Sequence, residues 1–491
     1  MKKIASLFLM LVMAFTLLCP CFNAVSVSAD TSLSGVLRVG NWEDYIGEEV
    51  IASFEEKYPN VTVQYSTFGT NEDMYNELQI NPGSFDLMCP SEYMIQKMLM
   101  EDMLESFDAP ENYLKYGSEY IIDKFNSMGL QDENGKYYTV GYMWGLLGLT
   151  YNPEFVSSYD MESWSSLWNI AYKEKSTIKN SVRDSYFIGI AFAYRDELLG
   201  LLEQVENGEI TKQEYTAKLE EVFNNTSDEA IKRVEDALKL LKSNIYGLEV
   251  DNGKDDVASG KITINFAWSG DAVYAMDVAE EEGVFLEYAV PKEGSNVWFD
   301  GFVMPKGANK ELATAFLNYI CTPEVAVSNM EYIGYTSCIA GDQDFSIDYE
   351  DENGETETIE YTGVLDWVKK TYGVTEERTE ENIYEANLGY FFGKTLYSAE
   401  KNRQFNTQYP PQETIERCAV MRYFDGETNH KINDMWERVK GDTLPTWAIL
   451  SIIGGVILLI AGVIVYKNRD KIFKPKKAKK SKYKIVDKRY I

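Results

Sequence analysis

The chain has 491 residues, a formal net charge of −31 at pH 7 and a single histidine, His430. That length is too great for one small core and suits two lobes. The acidity argues against nucleic acid as a partner, and one histidine excludes histidine-based triads and multi-histidine metal sites.

The N-terminus reads as a secretory signal over residues 1–29. Lys2 and Lys3 precede an apolar run, and the "VSA" of Val27 to Ala29 offers small residues for cleavage. Cys19 and Cys21 follow Leu and Pro, outside any lipoprotein cleavage box. Next come "VLRVG" as a strand, "GEEVIASFEEKYP" as a helix, "VTVQYSTF" as a strand and "NEDMYNELQ" as a helix capped by Asn71. "FDLMCPS" completes a β-α-β-α-β order, which predicts a parallel sheet with helices on both faces. In such sheets ligands sit beyond the carboxyl ends of strands. "NWEDY" and "PSEY" both follow strands, so these two loops are expected to face one crevice.

From Tyr142 the pattern shifts. "GYMWGLLGLTYN" is a long extended run that crosses between lobes, and "SWSSLW" starts a helix. Residues 195–241 are Glu/Lys-rich and read as solvated helices. "KITINFAWSGDAVYAM" is strand, turn and helix start, and "FLEYAVPKEGSNVWFDGFVMPKGA" is a strand pair with a second crossing near Phe302. A helical hairpin follows, then "DYEDENGETETIEYTG", a polar hairpin with an Asn-Gly turn. Its acids lack calcium-loop spacing, so it is expected as a surface insertion.

The stretch Thr446 to Tyr466 carries no charge. At a rise of about 1.5 Å per residue it crosses a hydrocarbon core roughly 30 Å thick. From Lys467 onward twelve Lys or Arg stand against two Asp, which places that tail in the cytoplasm and the chain before the span outside. Taking away the +10 of the tail and the +2 of Lys2 and Lys3 leaves −43 for the ectodomain. Such a charge concentrates cations, or serves solubility alone. Cys89, Cys321, Cys338 and Cys418 survive signal removal. Outside the cell, Cys321 and Cys338 are candidates for a disulfide or for two buried thiols, and the spacing makes no zinc motif.

Eight segments together carry a resemblance. They are "NWEDYIG", "YSTFGTNEDMYNEL", "FDLMCPSEYMIQKMLMEDMLESFD", "YMWGLLGLTYNP", "SWSSLW", "AWSGDA", "PKEGSNVWFDGFVMPKGA" and "EYIGYTS". In this order they resemble the spermidine/putrescine-binding proteins of polyamine ABC transporters. The resemblance implies an α/β, two-lobed, periplasmic-binding-protein-like fold of type II, each lobe a mixed sheet flanked by helices. It closes on a polyamine and hands it to a permease with a cytoplasmic ATPase. The aromatic box of that family matches Trp42, Tyr45, Tyr93, Trp268, Trp298 and Tyr335. Its acids match Asp44, Asp184 and Asp300, and its loop serine matches Ser91. Three positions depart. Ser181 replaces an acid, Asp184 is shorter than the family's Glu, and Met421 aligns where the family has a glutamine. Residues from about Ala340 to Pro410 exceed the family's connection. These departures bear on ligand choice more than on ligand class.

The chemistry of such a ligand agrees. Each buried ammonium needs an anion or several acceptors. Methylenes need apolar walls, and aromatic faces attract cations at about 0.5–2 kcal/mol each. In this reading Trp42 and Tyr45 wall the ligand, Asp44 pairs with an ammonium and Glu43 stays solvated. The expected division is lobe 1 over 30–142 and 299–343, and lobe 2 over 143–298 and 344–444 with the insertion. A transmembrane helix spans 445–466 and a basic tail 467–491. No nucleophile–base pair or cofactor loop is visible, so a non-enzymatic binding protein with no cofactor is expected. The alternatives are a single-span polyamine sensor, for which the short tail has no room, and a binder of another organic cation or a hard metal ion.

Overall fold

The computed structural model describes residues 30–350 and 355–441. The expected signal, the Asn-Gly turn of the polar hairpin, the span Thr446 to Tyr466 and the basic tail lie outside the described residues. Among the described residues no helix is long and apolar enough to cross a membrane. The chain divides into two units, residues 1–435 and 436–491. The second is described only through Gly441, where it completes the helix Gly426–Lys440.

Strands Gly35–Trp42, Val61–Phe68 and Leu87–Met88 are parallel neighbours. Parallel strands need a crossover connection, supplied here by helices Glu48–Lys57 and Asn71–Ile80. The first of these buries Val50 and Phe54, one turn apart on a single face. The second is capped by Thr70, whose Oγ1 accepts from the Asp73 N–H at 3.0 Å, rather than by Asn71. Asn71 is the first helical residue, and its amide is used elsewhere. Because the strands are parallel, the loop after Trp42 and the Pro90–Ser91 turn leave the sheet at the same edge.

The strand order continues from Leu87–Met88 through Ser295–Pro305, Thr139–Tyr151, Ile264–Trp268, Ser176–Lys179 and Gly247–Glu249. The two long strands run antiparallel to each other. Every residue of both is buried, which explains why each reads as a near-continuous apolar run rather than an alternation. They join the two halves of a mixed α/β, two-lobed architecture, as expected.

Four local features refine the expectations. "SWSSLW" forms a short 3₁₀ turn, Trp164–Trp168, rather than the start of a longer helix; Ser163 caps it and Asn169 caps the next 3₁₀ turn, Ile170–Tyr172, each accepting from the N–H two residues on. Helices Arg195–Glu206, Lys212–Phe223 and Asp228–Lys242 are solvated on one face only, with Leu198, Leu219, Val234 and Leu238 fully buried. Cys89, Cys321, Cys338 and Cys418 are all free and buried, so Cys321 and Cys338 stand as thiols.

The fourth is the insertion, which forms hairpins Phe345–Glu350 with Thr356–Tyr361 and Tyr384–Leu388 with Lys394–Ser398. It is held at both ends. Glu331, in helix Pro323–Ile333, accepts from the Tyr349 hydroxyl at 2.7 Å and the Trp367 indole at 2.8 Å. Arg403 pairs with Glu280 of helix Ser269–Glu281, and the Gln404 amide donates to Asp277 at 3.1 Å. Glu331→Ala strands two donors and should cost about 2 kcal/mol. Chemical denaturation would read this as a lower midpoint at an unchanged slope, and an unmoved midpoint would show that Glu331 does not hold the insertion.

Candidate functional site

Trp42 ends the first strand, and the chain then turns through Asp44, which has a positive φ of 50°. Aspartate tolerates that conformation better than most residues. The turn is pinned at the Tyr45 carbonyl, which accepts from the Asn41 amide at 3.2 Å and the Tyr142 hydroxyl at 2.8 Å. Pinning aims the Tyr45 ring inward, where it is buried, and leaves Glu43 and Asp44 exposed.

On the long strand, Trp298 and Asp300 lie two residues apart and so share a face. They oppose Gly145 and Met143, and the register shifts just after Asp300. A bulge of this kind re-aims side chains. The Tyr45 hydroxyl donates to Asp300 Oδ2 at 2.8 Å. The Tyr335 ring meets Tyr45 at 5.6 Å and Trp298 at 5.4 Å, both edge-on. Two glycines permit this closeness. A Cβ on Gly145 would come within 2.6 Å of the Trp298 ring, and one on Gly270 within 2.2 Å of the Tyr335 ring.

The Pro90–Ser91 turn is stitched to the same strand, with Ser91 bridging Asp300 and the Gly301 N–H donating to the Pro90 carbonyl at 3.1 Å. Asn71 holds Ser91 on both sides, accepting from its N–H at 3.0 Å and donating to its hydroxyl at 3.1 Å. Beside it, Glu92 accepts from the Phe299 N–H at 3.1 Å. Burial pushes the Glu92 carboxyl up to about 8, so it is protonated at neutral pH. Burial likewise pushes Asp300 up to about 6, against the opposing pull of Ser91 and Tyr45.

Asp184 lies in the first turn of helix Val182–Ala193, whose cap Ser181 accepts from the Asp184 N–H at 3.3 Å. Burial raises its carboxyl to about 6, while the Ser181 hydroxyl and the charges of Lys179 and Arg183 pull it down. The Arg183 guanidinium stacks at 4.4 Å on Tyr93, whose hydroxyl donates to Glu72 at 3.2 Å. Trp268 ends the strand Ile264–Trp268, and the Lys179 ammonium sits 4.2 Å from its ring centroid. That ammonium pairs with Asp271 Oδ2 at 2.9 Å and Glu249 Oε1 at 3.2 Å, and Asp271 Oδ1 accepts from the Tyr335 hydroxyl at 2.8 Å.

Direct contacts therefore join Tyr45, Ser91, Trp298, Asp300 and Tyr335. Trp268 joins them through Lys179 and Asp271. Tyr93 and Asp184 form a second group around Arg183. Trp42 packs partly buried against the core, and Asp44 lies apart on the exposed turn. Four buried polar atoms here have no hydrogen-bond partner: Trp42 Nε1, Trp298 Nε1, Arg183 Nε and Asp300 Oδ1. Sequence reasoning missed Lys179, Asp271, Glu249 and Glu92. Lys179 ends a strand and Asp271 lies in the first helical turn after the strand end at Trp268, so the strand-end rule was the available signal. A groove of about 890 Å³ between helices Arg195–Glu206 and Lys212–Phe223 is lined by none of these residues.

A family model described as bacterial extracellular solute-binding protein matches residues 49–353. The chain is 28% identical over 312 residues to the spermidine/putrescine-binding periplasmic protein of Salmonella typhimurium, covering 63% of this chain and 79% of that one. It is 27% identical over 318 residues to a putrescine-binding periplasmic protein of Escherichia coli, covering 64% and 80%. Among solved structures, a spermidine/putrescine ABC transporter substrate-binding protein of Streptococcus pneumoniae superposes with a TM-score of 0.55 at 26% identity, over 83% of this chain and 99% of that one. These matches are to proteins that bind solutes rather than transform them.

Proposed function

This chain belongs to the bacterial extracellular solute-binding proteins, and we propose that it captures a linear polyamine, spermidine or putrescine, outside the membrane for an ABC importer. The observation that carries the reading is the Asp300 carboxylate. It is 5% exposed, has one oxygen without a partner, and lies among Tyr45, Trp298 and Tyr335. A desolvated carboxylate ringed by aromatic faces is what an ammonium on an apolar chain requires.

In this reading Trp42, Tyr45, Tyr93, Trp268, Trp298 and Tyr335 wall the ligand. Asp300 and Asp184 pair with its ammonium groups, Ser91 orients Asp300, and Asp44 lends its charge at the rim. Residues 30–142 with 299–343 form one lobe, and 143–298 with 344–444, the insertion included, form the other. The protein binds and releases without chemistry. The uncharged run Thr446 to Tyr466 and the basic tail tether it to the membrane by the bilayer-length and positive-inside arguments.

Titrating the full-length protein in detergent with putrescine and spermidine should give a saturable change in tryptophan fluorescence. A flat response to both would refute the polyamine reading. For the tether, a chain ending at Gly441 should be released from cells. Its continued sedimentation with membranes in high salt would refute the single anchor.

A further inference from the structure

Lys179 is a charged side chain in a place where a polyamine-binding cleft has use for a ligand's charge. Its side chain is 1% exposed and its ammonium lies over Trp268, one of the aromatic faces assigned to the ligand. It is held by Asp271, by Glu249 and by the Val250 carbonyl at 3.0 Å. Asp271 is shared with Tyr335, and Tyr335 touches both Tyr45 and Trp298. The chain of contacts from Lys179 to Asp300 is therefore unbroken.

Among the described residues no cation pairs with Asp300, and Lys179 places one positive charge beside Asp271 and Glu249 before any ligand arrives. A ligand then has one fewer ammonium to supply at this end, and without Lys179 the same groups carry one more uncompensated negative charge. An uncompensated charge in a desolvated site is costly in either direction.

We propose that Lys179 is a resident ammonium standing in for one of the ligand's own at the Trp268 end, so that the site selects a short diamine over a triamine. This rests on the polyamine reading and deepens it. Calorimetric titration of the full-length protein in detergent at pH 7.5 should show putrescine bound at least tenfold more tightly than spermidine. Lys179→Met should move the ratio at least tenfold toward spermidine, while Lys179→Arg should keep the wild-type preference. The double variant K179M/E249Q removes one charge of each sign, so it should also keep that preference if charge and not bulk decides. Spermidine binding as tightly as putrescine to the wild-type protein would overturn the inference, whether or not the variants fold. So would an unchanged ratio in a Lys179→Met protein that still binds. Binding with the wrong ratio leaves the polyamine reading intact, whereas no binding of either amine to the wild-type protein removes both.

Discussion

Replacing Asp300 by asparagine should weaken polyamine binding at least thirtyfold without lowering the stability of the protein. The amide keeps the size of the side chain and an oxygen to accept from the Tyr45 hydroxyl, which now donates to Oδ2 at 2.8 Å. It removes the negative charge that faces the ammonium in the proposed site. Charge-assisted hydrogen bonds are stronger than neutral ones, and breaking a buried charge pair costs about 2–5 kcal/mol. Each 1.4 kcal/mol is about tenfold in affinity. Stability should not fall, and at neutral pH should rise, because no cation pairs with this carboxylate in the described structure and burial opposes its ionisation. A structural Asp300 would give the reverse pattern, with a lowered melting temperature and affinity retained in the folded fraction. Calorimetry and thermal melting on the one variant separate the two.

Affinity for a diamine should also fall by between tenfold and a hundredfold from pH 7 to pH 5. Burial raises both Asp300 and Asp184 to about 6, and an ammonium binds the ionised forms. A group with a pKa of about 6 is roughly nine-tenths ionised at pH 7 and one-tenth at pH 5, so each carboxylate contributes about tenfold. The free protein should respond in the opposite sense. Where the folded pKa lies above the ordinary value of 3.8, the native state binds more protons than the unfolded chain, and stability falls as pH rises from about 4 to 6. The contribution of these two acids to the free protein's stability is thus greater at pH 5 than at pH 7, while affinity is lower. Affinity that stays level between pH 5 and 7 would show that neither carboxylate holds an ammonium.

Residue order alone was enough for the parallel start of the sheet, the two long crossing strands and the helical hairpin, because hydrophobic periodicity and run length report burial directly. It was also enough for the loops after Trp42 and Met88 to be placed together, since parallel strands end at one edge. The aromatic and acidic positions came from a resemblance whose motifs are local and ordered. The tertiary structure alone decided what those positions face. Asp44 and Tyr45 are neighbours in the chain, yet a backbone φ of 50° leaves one exposed and buries the other against Asp300. Asn71 is a good cap by residue type, but Thr70 occupies the cap position and frees the Asn71 amide for Ser91. Lys179, Glu249 and Asp271 are up to 92 residues apart and form one ion cluster. Local propensity carries no information about partners at that separation. The register of the strands does, because it sets which side chains meet and how many charges the cleft holds before any ligand arrives.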